Sequence, residues 1–175
     1  KVHYIDDFAN KWSGVDFNIA QKSVKITVNC TFEGSITNRC LETSAIDRIL
    51  YNYINNAARF SADNVVNLSI FSVNRLLVRW VVDNAISDQQ AQWLVEHTGS
   101  DLKKLFLGGL TRGGHGFGLS NCADFVAASF GITLQQALDQ GYLGANVIDD
   151  RYYAWFHWPA YVPQSDDPDC DCEQP

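Results

Sequence analysis

The sequence has no run of about 18 apolar residues, which excludes a membrane-spanning helix. It shows no charged-then-apolar stretch, so no secretory signal is expected within it. Basic residues are scarce: Lys and Arg total 13 against 20 Asp and Glu, a net charge of −7. A balance this acidic excludes wrapping nucleic acid by phosphate neutralisation, so no nucleic-acid partner is expected. A local basic site for a small phosphate ligand stays compatible with it. Methionine is absent and the first residue is Lys1. The expectation is therefore a piece of a longer parent, or a processed product. There is no internal repeat. The 5 cysteines (Cys30, Cys40, Cys122, Cys170, Cys172) are odd in number and irregularly spaced, which favours free thiols in a reducing compartment over a disulfide framework.

What is present is an ordinary globular mix, 46% apolar and 19% charged over 175 residues, about one domain with a real core. Ile5, Phe8, Ala9 and Trp12 fall at helical spacing. Lys22 to Cys30 alternates with Val24, Ile26 and Val28 on one side, a half-buried strand. Leu41 to Phe60 has the clearest helical period, carried by Ala45, Ile46, Ile49, Leu50, Tyr53, Ile54 and Ala57. Ser44 and Asp47 resemble a capping box at its start. Val65 to Val73 and Leu76 to Val82 read as strands of a hairpin turning at Asn74-Arg75. A helix is expected over Asp88 to His97. Gly99 to Gly118 is rich in glycine and offers few residues that could form a core, so a mobile loop is expected. Leu119 to Phe130 returns to helical period, and Tyr142 to Ile148 with Tyr152 to Trp158 forms a final hairpin turning at Asp149-Asp150. From residue 163 onward an acidic, disordered tail is expected, with Cys170 and Cys172 as its lone C-x-C. The expected fold is α/β: a two-layer α+β sandwich with a mixed, mainly antiparallel sheet, helices on one face and a mobile lid.

Three patches could carry chemistry. Asn52, Asn55, Asn56 and Arg59 stripe one helix face. Asparagine is a poor helix-interior residue, so the stripe is either a solvated face or a row of amides and a guanidinium that holds Mg²⁺ and phosphate oxygens. Asp83 ends the apolar run from Leu76, as a turn residue or as an acceptor for the exocyclic amine of a base. Gly113-Gly114-His115-Gly116-Phe117-Gly118-Leu119 precedes a helix, as a flexible loop or as a backbone cradle for phosphate. It lacks the Lys-Ser/Thr of a P-loop and does not follow a strand, which disfavours a dinucleotide fold.

In this order the patches resemble the catalytic ATP-binding domain of sensor histidine kinases, in the gyrase–chaperone–kinase–mismatch-repair superfamily. The family's N box, roughly N-L-x-x-N-A-x-K-F-T, is similar to Asn52-Tyr53-Ile54-Asn55-Asn56-Ala57-Ala58-Arg59-Phe60-Ser61. The resemblance implies that Asn56 ligates Mg²⁺, that Asn52 supports it, and that Arg59 reaches the phosphates of ATP. Asp83 takes the place of the adenine-binding acid. Gly114, Gly116, Gly118 and Leu119 match the second glycine box. Leu105-Phe106 stands where the family has its lid phenylalanine, Thr111-Arg112 resembles the basic lid segment, with Arg112 toward phosphate, and the hairpin ends in His157-Trp158-Pro159. The likeness spans residues 1–162.

Two departures matter. Asp83-Asn84-Ala85-Ile86-Ser87 lacks the glycines of the first box, which implies weakened ATP affinity or a remodelled pocket. Asn52 stands where hydrolytic relatives carry a water-activating Glu, which favours phosphoryl transfer over free ATP hydrolysis. None of His3, His97, His115 and His157 sits before an acid in the manner of a phosphoacceptor. The implied function is therefore the kinase half of a two-component sensor, with ATP and Mg²⁺ as cofactors. Its implied partners are the parent's own dimerisation and phosphoacceptor hairpin and a response regulator. The fragment is expected to be a monomer, its parent a homodimer, and its compartment the cytoplasm, compatible with a membrane-anchored parent. The alternative is a degenerate docking or regulatory module; a serine kinase of the anti-sigma type fits the N box less well.

Overall fold

The computed structural model describes residues 2–37, 44–112, 115, 116 and 118–162. Gly113, Gly114, Phe117, Cys40, the tail 163–175 and its cysteines lie outside the described residues, as does the expected start of the long helix at Leu41.

The chain opens with β1 (Val2–Tyr4) and α1 (Ile5–Trp12), then β2 (Asp16–Ile19), β3 (Lys22–Cys30) and β4 (Ser35–Thr37). The long helix α2 (Ala45–Phe60) leads into the hairpin β5 (Val65–Asn74) and β6 (Leu77–Ala85). Next come α3 (Asp88–Thr98), a 3-10 helix (Leu102–Phe106), and the two-residue strands β7 (Thr111–Arg112) and β8 (His115–Gly116). The chain finishes with α4 (Leu119–Phe130), α5 (Leu134–Asp139), β9 (Leu143–Ile148) and β10 (Arg151–Pro159). The main sheet has six strands in the order β2-β3-β5-β6-β10-β9. Among the described residues of this sheet only β3 and β5 run parallel, because α2 is the crossover between them; the other pairs are antiparallel. This is the expected two-layer α+β sandwich.

The core lies between the sheet and the helices. Val24 and Ile26 of β3, Val66, Leu68 and Ile70 of β5, and Val78, Trp80 and Val82 of β6 turn one face inward and are essentially unexposed. Against them pack Phe8 and Trp12 of α1, and Ile49, Leu50, Tyr53 and Ile54 of α2. Trp80 stacks on Phe156 at 5.5 Å and meets the edge of Phe8 at 5.6 Å. Period-two burial thus fixes which side of each strand is inside.

Several expectations need correction. The Ser44–Asp47 capping box does not form: Ser44 makes no side-chain cap bond, and Asp47 instead accepts from Lys11 Nζ of α1 at 3.0 Å. The β5–β6 turn is Arg75-Leu76, one residue later than expected, with a bulge at Ser72/Asn74. The stretch after Gly99 is not coreless, since Leu105 and Phe106 are buried and Phe106 packs 6.4 Å from Tyr53. Helix α5, of six residues, is too short for its period to stand out in the sequence; its capping box is Thr133 with Gln136. Cys30 and Cys122 are free thiols. Among the described residues no helix is long and apolar enough to cross a membrane.

Candidate functional site

The amide stripe lies on α2 where that helix meets α4. Asn56 is 8% exposed, an unusual depth for an asparagine. One turn earlier, Asn52 donates from Nδ2 to the Arg48 carbonyl at 3.0 Å, which turns its Oδ1 outward. That oxygen faces Gly118, the residue before α4. A Cβ at position 118 would stand 2.9 Å from it, and Gly118 has φ +64°. Close approach and left-handed backbone both require glycine there. Gly118 gives the first turn of α4 no side-chain cap, and the leading N–H groups of a helix have no partner within it. Leu119 is buried and anchors that turn. Cys122 lies one turn on; burial pushes its thiol up to about 12 and keeps it neutral. Arg59 Nη2 donates to Asn55 Oδ1 at 3.3 Å, so the guanidinium lies along the helix on the same stripe.

The two key asparagines border different hollows. Asn52 lines an open groove of about 590 Å³ along α2 and α4, shared with Arg48, Tyr51, Asn121 and Asp124. Asn56 lines a closed slot of about 10 Å³ with Phe60, Ile86, Gln90, Leu94 and Tyr152, room for one water.

Asp83 is not in that slot. Strand β6 alternates, and Val82 and Asn84 face the helices at 1% and 0% exposure. Asp83 therefore projects from the opposite, open face of the sheet. There its Oδ2 accepts from Asn67 Nδ2 at 3.1 Å and from Arg151 Nε at 3.1 Å, with Arg151 Nη2 closer still. Asn67 in turn accepts from Thr27 Oγ1. A polar chain thus crosses β3, β5, β6 and β10, and the carboxylate holds the Arg151 guanidinium above its ordinary pKa. Of the expected residues, the structure brings Asn52, Gly118 and Leu119 together at α4, with Asn56 and Arg59 farther along α2. It separates Asp83 from them. Arg112 and Gly116 belong to the β7–β8 pair by their backbone alone, and Gly114 lies outside the described residues.

The buried polar residues missed in the sequence are Gln90, which lines the slot, and Asn84, the cross-strand partner of Tyr152. The signal was available for Asn84: it continues the inward series Val78, Trp80, Val82, and Asp83 is out of phase with it. His97 and His157 are in structural roles. His97 stacks on Trp93 at 4.1 Å. His157 is buried, and its Nε2 accepts from Arg79 Nε at 2.9 Å. Burial, with the nearby Arg79 charge, lowers its pKa to about 4.

The mycobacterial sensor histidine kinase MprB matches with a TM-score of 0.59 at 13% identity, over 93% of this chain and 100% of that one. The chain has the fold of a sensor histidine kinase. Full-length ShkA in complex with AMPPNP matches with a TM-score of 0.55 at 17% identity, over 81% of this chain and 27% of that one. No protein-family model and no curated protein matches the sequence. On the kinase fold, the amide stripe and the uncapped start of α4 occupy adjoining edges of one helix pair.

Proposed function

We propose that the chain is the ATP-binding catalytic domain of a two-component sensor histidine kinase. The observation that carries the proposal is the contact between the α2 amide stripe and the uncapped N-terminus of α4, with Gly118 packed on Asn52 Oδ1. The donor set suits a metal–triphosphate. Amide oxygens of Asn52 and Asn56 are hard ligands suited to Mg²⁺, and the N–H groups at the start of α4 suit phosphate oxygens. Arg59 and Arg112 add positive charge for the same oxygens. Mg²⁺, when bound, supplies charge neutralisation of the phosphates. The chain's own groups orient the triphosphate and exclude a general base, since Asn52 cannot deprotonate water; positioning dominates such transfers. The phosphoryl acceptor is then a histidine on the parent's dimerisation hairpin, and the next recipient a response regulator.

A second reading has its own support: the locked Asp83–Arg151 pair and the closed slot favour a degenerate module that docks without using nucleotide. Calorimetry with Mg-ATP separates the two. Binding in the micromolar-to-millimolar range that requires Mg²⁺ and collapses in Asn56→Ala supports the kinase. No binding at several millimolar to a folded sample, weaker than about −3 to −4 kcal/mol, supports the docking module.

A further inference from the structure

The face of the sheet away from α1 and α2 is not simply polar. Strand register sets Phe71 beside Arg79 and His157, and in the next row Ser69 beside Val81, Trp155 and Gly144. Phe71, Val81, Tyr153 and Trp155 are half-buried on this face, where a one-sided antiparallel sheet ordinarily carries polar side chains. Two of its groups are held in place. The Trp155 indole lies over Gly144 of β9, so that a Cβ at position 144 would collide with the ring, and its Nε1 donates to the Gly141 carbonyl at 3.3 Å. Arg79 Nε donates to His157 Nε2 at 2.9 Å, and the guanidinium stands 5.8 Å from the centroid of the Phe71 ring. Charge on the face is uneven. Lys25 faces Asp16, and Arg151 is paired with Asp83, whereas Arg79 has no carboxylate partner among the described residues. A cleft of about 190 Å³ opens beside Trp155, with Gly144, Asn146 and Lys103 on its walls.

We infer that this face is a docking surface for an amphipathic helix of a partner protein, with an apolar anchor seated at Trp155 and its cleft and a carboxylate received by Arg79. Nucleotide is not needed for this contact. Tryptophan and arginine are the side chains that most often dominate interface energies, and a pair already pinned to its own sheet loses little freedom on binding. Arg79 and Trp155 are diagonal cross-strand neighbours, about 7–8 Å apart, close to the separation of about 6 Å between side chains one helical turn apart. Helices already cover the other face of the sheet, and a sheet with apolar side chains on both faces is covered on both. The carboxylate follows from charge. Arg79 is a fixed cation that nothing on the face neutralises, in a chain of net charge −7 that repels acids elsewhere.

The test is fluorescence anisotropy of the full chain with labelled amphipathic helical peptides, identical but for a Glu, a Gln or a Lys one turn from a central leucine. Wild type is expected to bind the Glu peptide about tenfold more tightly than the Gln peptide, and the Lys peptide least. Arg79→Gln should erase that preference, and Arg79→Glu should transfer it to the Lys peptide. Val81→Lys sets a charge in the apolar centre of the face. It should weaken binding of every peptide by about tenfold or more, and it decides the matter should the Arg79 variants fail to fold; a thermal melt checks each protein. A wild type that binds none of the peptides overturns the inference. So does equal binding of the Glu and Gln peptides, or Val81→Lys binding as wild type does. Sedimentation of the wild type alone covers the remaining occupant: a dimer that Val81→Lys dissociates gives the face to a second copy of the chain and overturns the helical partner.

Discussion

Removing Arg151 tests where Asp83 points. In the folded chain the Asp83 side chain is 13% exposed and that of Arg151 30%. Its Oδ2 accepts both Arg151 nitrogens and Asn67 Nδ2. Arg151→Ala leaves a nearly buried carboxylate with a single neutral donor. Hydrogen bonds to charged groups contribute about 1.5–3 kcal/mol, and solvent access on the Arg side places this pair toward the lower end, at about 2 kcal/mol. For a domain of this size that lowers Tm by about 4–8 °C. Asp83→Asn in the Arg151→Ala background should restore part of the loss, because no unpaired charge remains. The second readout is function. Asp83 lies on the open face, so Asp83→Asn alone should leave Mg-ATP affinity within about twofold of wild type. A melt unchanged in Arg151→Ala refutes the energetic argument. Loss of ATP binding in Asp83→Asn, with the melt unmoved, refutes the placement itself.

Two further outcomes are expected. His157 has a folded pKa of about 4 against an ordinary 6.5, so the unfolded chain binds the proton more readily. Its contribution to stability is complete above pH 6.5 and is lost as pH falls from there to about 4, by up to about 3 kcal/mol. Urea melts across that range should show a flatter profile in His157→Phe than in wild type; identical profiles would refute the assignment. Gly118→Ala puts a Cβ into left-handed backbone and against Asn52 Oδ1. It should cost about 1–2 kcal/mol by melting and weaken Mg-ATP binding through displaced Asn52; unaltered binding would uncouple Gly118 from the site.

The long amphipathic elements were legible because one periodicity dominates them. Strand β3 has the bounds expected from its alternation, and α4 those expected from its three-to-four spacing. The sandwich followed from their order. What failed was local and competitive. Ser44 and Asp47 had the right spacing for a cap, but Lys11 takes the carboxylate across 36 positions of sequence, a partner no window contains. Leu105 and Phe106 lie in the glycine-rich stretch read as a loop, yet two large apolar side chains suffice to pin a short turn to the core. The site divided along the same line. The α2 stripe could be read because a helix shows its faces in its spacing. The face of Asp83 depends on strand parity, where one residue decides between core and solvent. The partner that holds it, Arg151, lies 68 positions away.

The position of β10 bears on how the molecule is made. This strand is the tenth in sequence but lies between β6 and β9 inside the sheet. During synthesis the hairpin β5–β6 therefore emerges with one long hydrogen-bonding edge bare, and Trp80 and Val82 wait for Phe156 and Ala154. Closure is a late, non-local event, which slows folding, and the bare edge can meanwhile recruit a neighbouring chain. A ribosome stalled before Trp158 would hold a nascent sheet with its β6–β10 seam open, and aggregation of such arrested chains should rise with the length of the stall.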